Sequence, residues 1–182
     1  MVDPTDELKT RAEILHKRLA AGDPAARDRL RALRELRRAD DDALAAAAAG
    51  VQRKHCLAVV AAELGFTSWD HALRVLRGDP EEADHGTLLN DPATRGIFNA
   101  WYADHAEARE HLEERRREGQ RAYLLPYRRQ FVLVDAFYVE ALALDPDDPD
   151  WEAIGYDWAR PRDPAARTRL LGRRLAALRE RP

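Results

Sequence analysis

Seven of the ten prolines in this 182-residue chain follow an aspartate, at Pro4, Pro24, Pro80, Pro92, Pro146, Pro149 and Pro164. Asp at a helix N-cap accepts a hydrogen bond from an amide that has no partner inside the helix. Proline at the next position presets the backbone angle and has no amide to waste. A chain punctuated this way is expected to fold as many separately started helices. "DPAARDRLRALREL" from Asp23 and "DPAARTRLLGRRL" from Asp163 look like a repeat. Their flanks do not match, so they are read as one helix-opening solution used twice.

Between these start signals, apolar spacing predicts helices in the first part. Leu8, Ile14, Leu15 and Leu19 mark one ending near Gly22, and Leu30, Leu33 and Leu36 a second opened by Asp23 and Pro24. "VQRKHCLAVVAAELG" gives a third, with Leu57, Val60, Ala61 and Leu64 as its buried face and Gly65 as its cap. "FTSWDHALRVLRG" gives a fourth, capped by Thr67 or Ser68 and closed at Gly78, with Trp69 expected to be largely buried. The polar stretch "DPEEAD" from Asp79 is the expected boundary, separating a helical bundle over 1–78 from a small α+β domain over 84–182. In that second part "HGTLLN" from His85 is read as a short strand and residues 91–119 as one long helix opened by Asp91 and closed at Gly119. Further helices are expected from Asp135, from about Asp150 and from Asp163. The expected fold class is α+β and mostly helical, the N-terminal bundle packed on a C-terminal domain with a two- or three-stranded antiparallel sheet.

The run "LAVVAAELGFTSWDHAL", residues 57–73, resembles a short helical segment that precedes the repeats in bacterial ankyrin-repeat-like proteins. Ala58, Val59, Ala61, Glu63, Gly65, Phe66, Ser68 and Trp69 carry the match, and "RLAAGDPAARDRL" is similar to the helix pair before it. The resemblance covers about the first 78 residues and implies a helical bundle with no known chemistry. The ankyrin signature Thr-Pro-Leu-His-x-Ala does not occur, so no ankyrin array is expected.

Thirty basic residues against 33 acidic ones give a net charge of -3, so no global field favours nucleic acid or an anionic membrane. Mean hydropathy of -0.61 and a scatter of aromatics describe a soluble, heavily charged globular protein. Cys56 is the single cysteine, which excludes an internal disulfide and a cysteine-based zinc site. "MVDPTDELKTRAEILHKRL" lacks the apolar core of a signal peptide, and no apolar run approaches the roughly 20 residues of a membrane span. Together with the alanine and arginine richness, these features make a cytoplasmic, bacterial-type protein the expectation, with no membrane association.

No P-loop, dinucleotide glycine pattern, His-Glu-x-x-His or nucleophile elbow is present. "DPDDPDWEAIG" from Asp145 is acidic but fails the EF-hand pattern, with Asp150 where glycine is needed and Tyr156 where glutamate is needed. It is read as a loop that caps the next helix, whose Trp151, Ile154 and Trp158 form one apolar face. Glu107 and His111 are read as an ion pair, and Cys56, beside His55, as a packing residue. The sequence calls for no cofactor and no metal.

Three readings of function remain. The first centres on "AYLLPYRRQFVLVD", residues 122–135, read as strand with Pro126 marking an edge or a break. Strand alternation puts Tyr127, Arg129, Phe131 and Leu133 on one face, where Arg129 with Gln130, Tyr127, Arg128 and the nearby Trp101 would offer donors to a small anionic ligand. The protein is accordingly expected to be a binding or interaction protein with an anionic ligand in its C-terminal part and a protein partner for its bundle. The second reading is a small enzyme using that pocket, with His105, grouped with Phe98, Trp101 and Tyr102, as general acid or base. A nucleic-acid module on the stripe of Arg27, Arg31, Arg34 and Arg38 ranks third.

Overall fold

The computed structural model describes residues 3–90, 92–97 and 99–180. The expected class holds: the protein is mostly helical, with a three-stranded antiparallel sheet. Residues 4–73 make one compact unit and residues from Arg74 onward another. Among the described residues no helix is long and apolar enough to cross a membrane.

The first unit contains α1 (Pro4–Ala20), α2 (Pro24–Asp28), α3 (Asp41–Ala49), α4 (Arg53–Glu63) and the start of α5 (Trp69–Arg77). Leu8, Ala12, Leu15 and Leu19 recur along one side of α1 and are buried; α1 packs on α4, whose own buried positions are Cys56, Val59, Val60 and Ala61. Ile14 falls between these turns and is 51 % exposed, so it belongs to the solvent face. The second predicted helix is not continuous. After α2 the chain passes through two 3-10 turns, Arg29–Ala32 and Arg34–Leu36, joined by Leu33 in extended geometry. The arginine stripe is thereby dismantled. Arg31 bonds Asp28 and the carbonyl of Ala39, while Arg27 lines a cleft between α1 and α3. The alanine-rich α3, capped by Asp40, buries Leu44 and carries no apolar periodicity that would announce it in the sequence.

Entry to α5 follows the sequence closely. Ser68 Oγ accepts from the His71 amide at 3.0 Å, and His71 Nδ1 accepts from the Thr67 amide at 3.2 Å. Gly78, at φ +76, ends the helix. Trp69 is half-buried; His71, Ala72, Val75 and Leu76 supply the fully buried positions.

In the second unit, β1 (Ala100–Tyr102), β2 (Ala122–Tyr127) and β3 (Gln130–Asp135) form the sheet in the order β1-β3-β2. The long helix expected over 91–119 is instead a 3-10 turn at Pro92–Thr94, then β1, then α6 (His105–Arg117); Asp91 and Phe98 lie outside the described residues. Asp104 starts α6 by accepting from the amides of Ala106 and Glu107 at 2.8 and 3.1 Å. "HGTLLN" forms turns rather than a strand. Leu88 and Leu89 are buried there, and their carbonyls are taken by Arg174 Nε and the Tyr138 hydroxyl at 2.6 and 2.9 Å.

The stretch 122–135 is a tight hairpin, with Tyr127 opposite Gln130 and only Arg128 and Arg129 between them. Arg128 adopts φ +52, doing without the glycine or asparagine that two-residue hairpin turns favour. The turn changes the parity of the strand, so Tyr127 and Phe131 face opposite ways. Ala122, Leu124, Phe131 and Leu133 pack under Ala108 and Leu112 of α6. Pro126, which lacks an amide, sits on the outer strand β2 as expected.

Helices α7 (Ala136–Ala141), α8 (Pro149–Ala153) and α9 (Pro164–Glu180) complete the unit, capped by Asp135, Asp148 and Asp163 respectively. Trp151, Ile154 and Trp158 are all fully buried, but Trp158 lies beyond the end of α8, so the three do not share one helical face. Asp150 ties α8 to α9 through Arg169 Nε at 2.9 Å and Arg173 Nη1 at 2.7 Å. Arg167 Nη2 donates to the carbonyl of Val75 near the end of α5 at 2.9 Å. Burial pushes its guanidinium down to about 10, still protonated at neutral pH.

Candidate functional site

The α6 face that covers the sheet is set by His105, Ala108 and Leu112, one helical turn apart. Arg109, Arg116 and Arg117 flank that buried stripe and line a cleft of ≈ 540 Å³ together with Glu113, and with Glu152 and Arg162 from the far side.

The far side is built by a sharp reversal after α8. Gly155 and Tyr156 take successive left-handed conformations, φ +70 and +58. Their amides return to the carbonyls of Glu152 and Trp151 at 2.8 and 2.7 Å, closing the helix. The chain then joins β2, with the Leu124 amide donating to Tyr156 O at 2.8 Å and the Trp158 amide to Leu124 O at 2.9 Å. Arg162 lies so close across Gly155 that a Cβ there would stand 2.9 Å from its Nε. Glycine suits both the backbone and the approach.

Arg109 joins the cleft to the interior. Its Nη1 donates to the Gly155 carbonyl at 3.1 Å and reaches Asp157 Oδ2 at 3.4 Å, while its Nε holds Glu113 at 2.8 Å. Asp157 is buried and also bonds His105 Nε2 at 2.9 Å. The hydrogen bond from Arg109 holds the Glu113 carboxyl below the usual carboxylate range, and the charges of Arg162 and Arg117 act in the same direction. Arg116 lies on the ring of Tyr156, with Cζ 3.1 Å from the centroid. Among the described residues the side chains of Arg117 and Arg162 take part in no hydrogen bond or ion pair; four guanidinium groups line the cleft with Glu113 and Glu152, while Asp157 meets Arg109 from behind.

The residues singled out in the sequence are divided between two places. Trp101, Tyr127 and Arg128 meet at the hairpin end, where the Trp101 and Tyr127 rings make an edge contact at 4.8 Å and Arg128 lies 5.6 Å from the Tyr127 ring. Arg128, Arg129 and Gln130 are exposed at the turn, so Arg129 is not the buried guanidinium that an uninterrupted strand would have made it. His105 lies instead with Asp157 and the edge of Phe131, ring centres 5.1 Å apart. His111 tilts against Tyr102 at 5.1 Å, its Nδ1 buried without a partner, and makes no ion pair with Glu107 among the described residues. Cys56 is buried and its thiol is pushed up by that burial. The described residues contain no cluster of three metal-binding side chains.

The cleft arginines are not among the residues singled out in the sequence. One signal was present: Arg109 and Arg116 each follow or lie within a turn of a buried α6 position, which directs them along the sheet rather than away from it. No protein-family model, curated protein or solved structure matches this chain.

Proposed function

We propose that the C-terminal unit binds a small anion in the cleft between α6 and the 155–162 segment. The observation that carries this is the surplus of guanidinium groups, with Arg117 and Arg162 outside any internal ion pair among the described residues, in a chain whose net charge is -3. Uncompensated cations gathered on a concave surface repel one another, and an oxyanion with several acceptor oxygens removes that cost. The anionic ligand expected from the sequence is thus retained, its place moved from Arg129 to this cleft. The protein-interaction role expected of the first unit is carried forward as part of this proposal on its helical form alone.

Thermal unfolding of the full chain at low salt, with inorganic phosphate, citrate or dicarboxylic amino acids, tests the proposal. A ligand at 100 times its Kd stabilises by about 2.7 kcal/mol, worth roughly 5–11 °C for a chain of this size. Arg117→Ala with Arg162→Ala should remove the shift while leaving the unliganded melting temperature close to the parent's. The proposal fails if no anion moves the transition, or if the double variant responds as the parent does.

A second reading, acid–base chemistry by His105, is supported by its bond to Asp157, which fixes the imidazole beside a cleft residue. Hydrolysis of p-nitrophenyl phosphate by the parent but not by His105→Gln would support it, and equal rates would remove it.

A further inference from the structure

One wall of the cleft is flat. The Arg116 guanidinium covers Tyr156, its Cζ 3.1 Å from the ring centre, and its Nη1 also donates to the Ala122 carbonyl at 3.3 Å. Tyr156 is itself held by its amide bond to Trp151 O at 2.7 Å and by the Leu124 amide donating to its carbonyl at 2.8 Å. Arg116 therefore has one face and one donor committed to the protein, on a support that does not need to be ordered when a ligand arrives. What it still offers is the opposite face of a planar cation, a surface on which a flat π system stacks.

Beside that platform stand Arg117 and Arg162, the two guanidinium groups with uncommitted side chains among the described residues. Arg109 is taken up by Glu113 and Asp157, which leaves Arg116, Arg117 and Arg162 facing Glu152 alone; two adjacent guanidinium groups without an internal pair match the several oxygens of a phosphate monoester better than a monocarboxylate. Glu113 is engaged by Arg109. Glu152, exposed and outside any ion pair among the described residues, is left as an acceptor for hydroxyl or amino groups. The ≈ 540 Å³ volume lies within the roughly 300–1,000 Å³ usual for small-molecule sites.

We infer that the cleft takes a phosphate monoester carrying a flat nitrogenous ring, the class of nucleoside monophosphates, with the ring on Arg116 and the phosphate between Arg117 and Arg162. This rests on the anion reading of the same cleft. Stacking on a guanidinium and charge-assisted bonds to a phosphate are separable contributions, so partial ligands can divide them.

Calorimetric titration of the full chain at low salt with AMP, ribose 5-phosphate and adenosine provides the test. AMP should bind at least about tenfold more tightly than ribose 5-phosphate, which lacks the ring, and than adenosine, which lacks the phosphate. Arg116→Lys, which keeps the charge and removes the plane, should bring AMP down to the affinity of ribose 5-phosphate without changing the latter. Arg162→Ala, at an exposed loop position, should weaken both phosphates and is the control should the lysine variant melt early. Equal affinity of the parent for AMP and ribose 5-phosphate overturns the ring assignment while the anion reading stands. Adenosine equal to AMP overturns the phosphate assignment, and no binding by either phosphate overturns both readings.

Discussion

His105 Nε2 meets Asp157 Oδ2 at 2.9 Å, with the aspartate only 1 % exposed. The same carboxylate is approached by Arg109 at 3.4 Å and caps the Arg160 amide at 3.0 Å. Asp157→Ala removes the acceptor for all three while leaving an imidazole and a guanidinium beside a gap. The expected loss is roughly 3–5 kcal/mol in urea unfolding, as for other buried pairs broken on one side.

Asp150 makes the fold sensitive to acid. Arg169 foremost, then Arg173, holds its carboxyl below the usual carboxylate range. A carboxyl depressed in the folded state stabilises fully above its unfolded value of about 3.9, and that contribution is lost as pH falls through the folded value. Urea midpoints measured between about pH 2 and pH 6 should therefore fall less steeply below about pH 4 in Asp150→Asn than in the parent, from a lower starting point.

At Gly155 the backbone and its neighbour impose separate costs. Gly155→Ala forces an L side chain to φ +70 and moves Arg162 off the loop. About 1–2 kcal/mol should be lost from the backbone alone, since the flexible arginine can swing aside. The displaced guanidinium should also weaken phosphate-induced stabilisation, which thermal unfolding with and without phosphate would resolve.

The hairpin turn offers the opposite sign. Arg128 holds φ +52 without the side-chain features that favour that region. Arg128→Asn should raise stability by up to about 1 kcal/mol, since asparagine visits the left-handed region readily and leaves the unfolded chain little changed. A drop in the unfolding midpoint would show that the Arg128 contact with Tyr127 outweighs the strain.

Tryptophan substitutions should separate by burial. Trp151 is fully buried and bonds the Asp145 carbonyl through Nε1 at 3.0 Å, whereas Trp101 is 49 % exposed with an edge contact to Tyr127. Trp151→Ala should cost roughly 3–5 kcal/mol and Trp101→Ala less than about 1.5 kcal/mol by chemical denaturation.

Helix starts were legible because a cap is a local event: Asp23, Asp148 and Asp163 each bond amides two or three residues onward. The poly-alanine helix was not, because one leucine among alanines has no periodicity to read. Neither was the hairpin, since Tyr-Arg-Arg-Gln contains none of the residues that announce a tight turn, and the pairing partner of β1 decides the fold there. Of the residues singled out, Tyr127 and Arg128 lie together because they are adjacent in sequence, whereas Trp101 reaches Tyr127 only across the β1-β3-β2 sheet, out of the long helix expected over 91–119. The cleft escaped notice because Arg109 and Arg162 are brought together only when the 155–157 reversal pairs with β2.

The two-residue turn at Arg128 and Arg129 works as a spacer whose length matters more than its contents. Many side chains could occupy it, but adding or deleting one residue would put the two strands out of step and exchange what β3 shows to α6 for what it shows to the opposite layer. Sequence drift in this loop should thus be free in spelling and frozen in count, and libraries made by substitution should survive there while those made by insertion should not.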